Sequence, residues 1–281
     1  MQEEFVLERS ADQIIRGTVF TAEGTSGKKP LVIISHGFKG FKNWAFFPYA
    51  AKKISQAGFH VITFNYSKNG VGPDLESFDE LDKFAENTFA DELEDLEYLL
   101  SAVVNEKVPY CEFMDIDNVF LIGHSRGAGD IMLYGTETSL VDIKGMVSWN
   151  GISSIDFISA DIKKEIREKG VGYIPNSRIG IDMPLHQPLL NEIEEHGSRF
   201  NILEKIKTTT IPLLIVQGTE DGEWLLQSAR SLYEHASIGE LKWIEDANHT
   251  FNSSHPFVEA SVELNKALEV TIAFLHASKR N

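Results

Sequence analysis

The feature that most constrains the fold is a series of apolar segments of strand length, each separated from the next by a longer, helix-like pattern. Continuous apolar runs bounded by turn residues are typical of strands covered on both faces of a sheet. They are LVIIS (31–35), FHVITFN (59–65), NVFLIG (118–123), IKGMVSW (143–149), IPLLIVQ (211–217) and LKWIE (241–245). Strands that alternate with helices predict an α/β fold with a mostly parallel central sheet flanked by helices.

Two further patterns complete the predicted core. Segments 4–9 and 13–21 alternate loosely and predict an antiparallel pair of strands, which Gly24, Gly27 and Pro30 close. The clearest helix is predicted over 85–104, with acidic residues on its polar face. Its apolar face is marked by Phe89, Leu93, Leu96, Leu100 and Val103. The acidic stretch 74–97 is therefore interpreted as a solvated helix face and not as a binding tail.

One interval is too long for an ordinary crossover. Roughly sixty residues separate the strands at 143–149 and 211–217, far more than a typical connection. Within it, 155–169 predicts an amphipathic helix, 170–190 is rich in Gly and Pro and predicts an irregular loop, and 188–206 predicts a helix. We therefore predict one domain with a core of residues 1–150 and 208–281, and a cap inserted above the sheet at 151–207.

Composition excludes several classes of function. The formal net charge of −16 argues against a nucleic-acid partner, because that affinity depends on Lys and Arg neutralising phosphates. Cys111 is the only cysteine, so an intramolecular disulfide is impossible. No apolar run approaches the ~20 residues that span a bilayer, and the acidic start lacks a signal-peptide pattern. We expect a cytoplasmic protein with no membrane partner; the oligomeric state is left open.

A candidate nucleophile lies between the third buried strand and the next helix. FLIGHSRGAGD (120–130) contains G-x-S-x-G, with Ser125 at its centre. A serine raised on a tight strand-to-helix turn needs small neighbours two positions away on each side, and the helix N-terminus then faces the developing oxyanion. This context makes the motif much more specific than the bare pattern.

A serine hydroxyl needs a base, and a histidine base needs a carboxylate to fix its tautomer. His249, in EDANHTF after the last strand, is best placed at the carboxyl edge of the sheet, where ligand and catalytic residues gather. Its nearest rival, His255, is assigned a structural role, and His124 is expected to support the turn around Ser125. Asp221, in QGTEDG, is the preferred acid. The rival acids are Glu220, Glu223 and the weaker Asp246.

The loop SHGFKG (35–40) and the residue after the nucleophile predict an oxyanion hole. The backbone N–H groups of Phe38 and Arg126 are the expected donors, which leaves both side chains free to shape a pocket. Candidate pocket residues are His36, Trp44, Tyr173 and Arg178. For His36 the alternative is to brace the loop, for Trp44 core packing, and for Tyr173 and Arg178 cap packing and a surface ion pair.

These segments resemble the α/β-hydrolase superfamily, and within it the dienelactone-hydrolase-like and cinnamoyl (feruloyl) esterase-like serine hydrolases. The resemblance covers nearly the whole chain and rests on HGFKGFKNWAFF, AGFHVITFNYS, GHSRG, YIPNSRIGIDMPL, QGTEDG, and ANHTF followed by HPF. It implies the α/β-hydrolase fold, a cap that contributes to the pocket, and the same catalytic set. That set is the triad Ser125, Asp221 and His249 with the amides of Phe38 and Arg126.

Two departures limit what the resemblance implies. Dienelactone hydrolases proper use a cysteine nucleophile where this chain has serine, so their substrate is not implied. The segment FNYSKNGVG also lacks the Asp-x-Arg-Gly-x-Gly pattern that is frequent after that strand.

The predicted function is hydrolysis of a small-molecule carboxylic ester through an acyl-enzyme, with no metal and no organic cofactor. A thioesterase, an acyltransferase or a small peptidase could use the same triad, and fold identity does not separate them. A ligand-binding receptor with little turnover is the competing hypothesis from outside the enzymes. A haloalkane dehalogenase is excluded, because that chemistry uses a carboxylate where this chain has Ser125.

Overall fold

The fold is built on one large sheet, as the apolar runs predict. The structure, a computed structural model, describes residues 1–21, 27–176 and 180–279. The strands are β1 (Gln2–Glu8), β2 (Ile14–Phe20), β3 (Lys29–Ser35), β4 (His60–Asn65), β5 (Met114–His124), β6 (Ile143–Trp149), β7 (Val171–Asn176), β8 (Ile181–His186), β9 (Leu213–Gly218) and β10 (Gly239–Ile244). Eight of them form a sheet in the order β1-β2-β4-β3-β5-β6-β9-β10. Only the β1–β2 and β2–β4 pairs of this sheet are antiparallel, so the predicted architecture is confirmed.

Helices cover both faces of the sheet. They are α1 (Phe47–Gln56), α2 (Leu81–Ala85), α3 (Phe89–Val104), α4 (Arg126–Glu137), α5 (Ala160–Lys169), α6 (Gln187–Glu195), α7 (Ile202–Thr208), α8 (Glu223–His235) and α9 (Val262–Ser278), with a 3-10 turn at Cys111–Phe113. Ile33 packs in a cluster with α3 and α4, whereas its neighbours Val32 and Ile34 pack with α1 and α9. Burial of alternate residues on opposite faces explains why these strands are continuously apolar. None of the helices in the described ranges is long and apolar enough to cross a bilayer.

The interval between β6 and β9 differs from its predicted structure. The prediction of an irregular loop over 170–190 is wrong for most of this range. The strands β7 and β8 pair there as an antiparallel ribbon, and α6 begins at Gln187. The Gly and Pro content obscured an alternation in which Met183 and Leu185 are buried. Proline is tolerated in such a ribbon because each strand has an unpaired edge.

The segment after this ribbon also differs in detail. The single helix expected over 188–206 is two helices, α6 and α7, and α7 begins at an Asn201 cap. Helix α5 packs on β7 and α6, and β8 packs on α2, whereas α7 lies against α4 and α8 at the flank of the sheet. The division into a core and a cap at 151–207 stays a prediction.

Candidate active site

Ser125 lies at the tight turn between β5 and α4. Its backbone has φ 56° and ψ −118°, a conformation with positive φ that is strained for a residue with a side chain. The strain is held by hydrogen bonds on both sides of the residue. The Ser125 N–H donates to the carbonyl of Trp149 at 2.9 Å, and the Ser125 carbonyl accepts the N–H of Ala128 at 3.1 Å.

Glycine is required on both sides of this turn. A Cβ atom at Gly123 would overlap the carbonyl of Gly127, and one at Gly127 would overlap the carbonyl of His36. Strand, turn and helix therefore approach too closely for any side chain. This is the physical reason for the two glycines of the G-x-S-x-G pattern.

The side chains of His249 and Asp221 form a hydrogen bond with each other. The imidazole Nδ1–H donates to Asp221 Oδ2 at 2.8 Å. Gln217 Nε2 donates to the same oxygen at 3.1 Å, and the N–H of Gly222 donates to Asp221 Oδ1 at 2.7 Å. The Asp221 side chain is 3% exposed, whereas the imidazole is 30% exposed and faces a cavity. The rival acids Glu220, Glu223 and Asp246 are exposed.

The loop that carries His249 is fixed through its backbone. The His249 carbonyl accepts hydrogen bonds from His124 Nε2 at 2.7 Å and from Asn150 Nδ2 at 3.0 Å. Asn150 Oδ1 also accepts the N–H of Gly218, at 2.8 Å, so one amide side chain joins the end of β9 to this loop. Sequence reasoning missed Asn150 and Gln217. Asn150 did carry a signal, because it directly follows β6 at the edge where the other site residues collect.

The two expected oxyanion donors flank Ser125. Arg126 is the first residue of α4, where helix geometry leaves the N–H without an intrahelical acceptor. Phe38 lies in the loop after β3, which is pressed against the nucleophile: a Cβ at Gly37 would lie 2.9 Å from the Cβ of Ser125. Phe38, Ser125, Arg126 and His249 all line one cavity.

That cavity has a volume of about 240 Å³ and is mostly apolar at its walls. Phe38, Ile152, Phe157 and Trp224 form the apolar part, and Lys39 and Asn176 add polar groups. A smaller recess of about 20 Å³ also meets Ser125 and His249. A larger cleft of about 570 Å³, between the N-terminal strands and α1, contains none of the candidate catalytic residues. The described residues include no group of three or more His, Cys, Asp or Glu side chains that could hold a metal ion.

The candidate pocket residues lie in different places. Trp44 is buried and forms part of the small recess beside Ser125. Tyr173 lies on β7 and is 47% exposed, and Arg178 lies outside the described residues. Trp224, which sequence reasoning missed, is 52% exposed at the wall of the main cavity. No signal beyond its position after the Asp221 turn marked it.

His36 is buried under the loop that it opens. Its Nδ1–H donates to the carbonyl of Gly37 at 2.9 Å, and its Nε2 accepts the N–H of Tyr66 at 3.4 Å. Burial lowers the pKa of His36, which agrees with a neutral ring that donates at one nitrogen and accepts at the other. This placement favours the bracing role over contact with a substrate.

Comparisons with known proteins bear on the fold. A scan against protein-family models and a search of curated proteins found no match. Among solved structures, the ferulic acid complex of Est1E from Butyrivibrio proteoclasticus superposes with a TM-score of 0.71 and 16% identity over 98% of both chains. The dienelactone hydrolase from Anabaena variabilis gives 0.63 and 14% over 99% of both chains. The esterase domain of a Rhodothermus marinus protein gives 0.63 and 16%, over 99% of this chain and 98% of that one.

These similarities extend over whole chains, so they include the sheet, its flanking helices and the segment between β6 and β9. Together with the strand order and the strained serine between β5 and α4, they establish the architecture. The chain has the α/β-hydrolase fold.

Proposed function

We propose that the chain is a serine hydrolase that cleaves carboxylic esters through an acyl-enzyme on Ser125. The observation that carries the proposal is the 2.8 Å hydrogen bond from His249 Nδ1 to Asp221 Oδ2, beside a cavity that His249 shares with Ser125. Such a bond leaves Nε2 as the basic nitrogen of the ring. The strained backbone of Ser125 supports the same assignment, because such strain is concentrated at functional sites.

In the first half-reaction, Ser125 Oγ attacks the carbonyl carbon of the ester while His249 Nε2 takes the hydroxyl proton. The carbonyl oxygen becomes an oxyanion, and the N–H groups of Phe38 and Arg126 stabilise it. Asp221 stabilises the imidazolium that forms. The tetrahedral intermediate then collapses, the ester C–O bond breaks, and the departing alcohol takes the proton from His249.

In the second half-reaction, water replaces the alcohol. His249 removes a proton from the water as it attacks the acyl carbon, and the same N–H groups stabilise the second oxyanion. Collapse releases the carboxylic acid and returns the proton to Ser125 Oγ. No step requires a metal or an organic cofactor.

We also propose a small-molecule ester as substrate, with residues 151–207 acting as a cap. The cavity volume of about 240 Å³ and its aromatic walls suit a compact apolar or aromatic acyl group. Phe157 and Asn176, both in the 151–207 segment, contribute to those walls. Est1E, which has the same fold, binds ferulic acid, and this favours including esters of aromatic acids among the substrates tried.

The proposal is tested by turnover of p-nitrophenyl acetate and butyrate. We expect wild-type hydrolysis to exceed that of Ser125→Ala by ~10⁴–10⁶ in kcat, as triad deletions do in other serine hydrolases. Ser154→Ala, a change at an exposed serine on the loop after β6, is the matched control and is expected to retain activity. Equal, slow rates for wild type and Ser125→Ala would contradict the enzyme and favour a ligand-binding receptor. Parallel panels of thioesters, amides and acceptor alcohols distinguish ester hydrolysis from thioesterase, peptidase and acyltransferase activity.

A further inference from the structure

The side chain of Arg126 lies at the centre of a buried group of charges behind the cavity. It is only 2% exposed, and its Nε–H donates to Glu92 Oε2 at 2.8 Å. Asn87 Nδ2 holds the other oxygen of Glu92 at 2.7 Å. Within the described part of the chain, neither Nη atom of Arg126 has a hydrogen-bond partner, nor does either carboxyl oxygen of Asp130. One hydrogen bond and the surrounding charges therefore fix the guanidinium.

Several carboxylates of this group act on the one buried cation, Arg126. Burial lowers the pKa of Arg126, but the carboxylates of Glu92, Asp130 and Glu192 act against it, and the net result is a raised pKa and a firmly charged guanidinium. Burial and the nearby Glu92 charge raise the pKa of Asp130 well above its usual range. Glu92 and Glu192 are among the carboxylates that act on the charge of Arg126 in this buried region, where loss of one partner of a buried ion pair is costly.

Glu192 comes from the segment between β6 and β9. It is buried on α6, and its carboxylate accepts the N–H of Phe89 at 2.6 Å and the N–H of Ala90 at 2.8 Å. These are the first two N–H groups of α3, which have no intrahelical acceptor. A carboxylate about one hundred residues away in sequence thus fixes the first turn of α3, in addition to the local Thr88–Asp91 capping box.

The first turn of α3 in turn fixes Arg126. The Phe89 ring lies 4.1 Å from the guanidinium carbon, and Glu92, one turn further on, accepts the Nε–H. The Phe38 ring lies 5.6 Å from the same carbon. The side chains of the two candidate oxyanion residues, Phe38 and Arg126, therefore lie next to each other. The guanidinium is too buried to touch a substrate, and it acts by holding the residues that do.

We propose that Glu192 is a positioning residue for the oxyanion hole: by holding the first turn of α3 against Arg126, it sets the backbone N–H groups of Arg126 and Phe38 at the oxyanion. This inference rests on the proposed function. It assigns a role in transition-state stabilisation to a carboxylate on α6. It also makes the rate of the chemical step depend on how the 151–207 segment packs against α3.

The test compares an ester with its thiono analogue, in which sulfur replaces the carbonyl oxygen. Sulfur accepts hydrogen bonds poorly, so the oxyanion hole accelerates the ester much more than the thionoester. For Glu192→Gln we expect kcat/KM on p-nitrophenyl butyrate to fall about tenfold, part of the 10²–10³ that removal of a whole donor costs. We expect the thionoester rate to change much less, so the ester-to-thionoester ratio falls. Glu195→Gln, at an exposed position on the same helix, is the control and is expected to keep the wild-type ratio.

Both substrates are measured on one preparation, so the ratio does not depend on the fraction of enzyme that folds. If Glu192→Gln yields no folded protein, Glu192→Asp, which draws the carboxylate back from Phe89 and Ala90, is expected to lower the ratio in the same way. A proportional loss on both substrates, or an unchanged ratio, would overturn the positioning role and leave the proposed function intact. Activity that survives in Ser125→Ala would overturn the proposed function, and the inference with it.

Discussion

At the scale of single residues, the hydrogen-bond partners of Asp221 determine which chemical group suits its position. Its side chain is almost completely buried, yet both oxygens accept hydrogen bonds, one from Gly222 and one shared by Gln217 and His249. Every one of these partners is a donor. The site therefore suits a group that accepts hydrogen bonds on both oxygens, as a carboxylate does.

Replacing Asp221 by Asn should leave the His249 side chain in place but make it a much poorer base. The amide NH₂ must face either the N–H of Gly222 or the position shared by Gln217 Nε2 and His249 Nδ1, and the second choice favours the wrong tautomer. We expect kcat on p-nitrophenyl butyrate to fall by ~10⁴, as the equivalent change does in other triads. Asp246→Asn, at an exposed acid near the same loop, should retain activity. A loss below tenfold for Asp221→Asn would show that another acid orients His249.

The proposed catalytic residues have clearer sequence signals than the residues proposed to position them. Ser125, His249 and Asp221 each follow a predicted strand and belong to a short, recognisable motif. Asn150, Gln217, Glu92 and Glu192 have no motif, because their roles depend on which distant segments the fold brings together. The composition of the acidic stretch even suggested the opposite for Glu92, which is buried and paired with Arg126.

At the scale of elements, α3 shows what apolar periodicity does and does not reveal. Its predicted apolar face is buried, but so are two of its acids, Glu92 and Asp95. Asp95 Oδ2 accepts the N–H of Ser67 at 2.7 Å, and Asp95 Oδ1 lies 3.4 Å from the guanidinium of Arg9. These contacts tie the helix to the end of β4 and to the loop after β1. The expectation of a wholly solvated acidic face is therefore wrong for these two positions.

The buried carboxyl group of Asp95 should make the free energy of unfolding depend on pH. Burial raises the pKa of Asp95 from 3.8 to about 6, so the folded protein holds a proton that the unfolded chain releases. The stabilisation from protonated Asp95 is fully present below the pKa that Asp95 has in the unfolded chain. It is lost as pH rises towards 6, and the loss in the free energy of unfolding is up to about 3 kcal/mol. Urea unfolding should show Asp95→Asn becoming more stable relative to wild type between about pH 4 and pH 6.

A matched variant checks this interpretation. Glu94→Gln changes the exposed acid that also pairs with Arg9, and over the same pH range its difference from wild type should vary much less than that of Asp95→Asn, because an exposed ion pair contributes little. A flat difference for Asp95→Asn over its own range would contradict the raised pKa.

The β7–β8 ribbon marks the limit of element prediction in this chain. Gly and Pro are strong signals for loops, and here they outweighed a short alternation of buried residues. A two-stranded ribbon has no central strand, so it tolerates residues that would disrupt a larger sheet. Local sequence cannot distinguish an irregular loop from such a ribbon, because the ribbon is stabilised by packing on α2 and α5.

At the scale of the whole molecule, the order of the strands creates the candidate site. Parallel strands β5, β6 and β9 are neighbours, so the residues after them, Ser125, Asn150 and Asp221, emerge at one edge of the sheet. His249 reaches the same edge on the loop after β10. The alternation of strands and helices was enough to predict this arrangement, whereas the contacts made by the segment over the cavity were not predictable from pattern alone.

The central claim is that these segments assemble a nucleophile at Ser125. The most direct measurement is to treat the protein with diethyl p-nitrophenyl phosphate and to locate the bound group by mass spectrometry of its peptides. We expect one diethylphosphoryl group per chain, on Ser125 Oγ, with release of p-nitrophenol, no labelling in Ser125→Ala and much slower labelling in His249→Ala. Labelling of another residue, or equal labelling of Ser125→Ala, would contradict the assignment of Ser125 as the nucleophile.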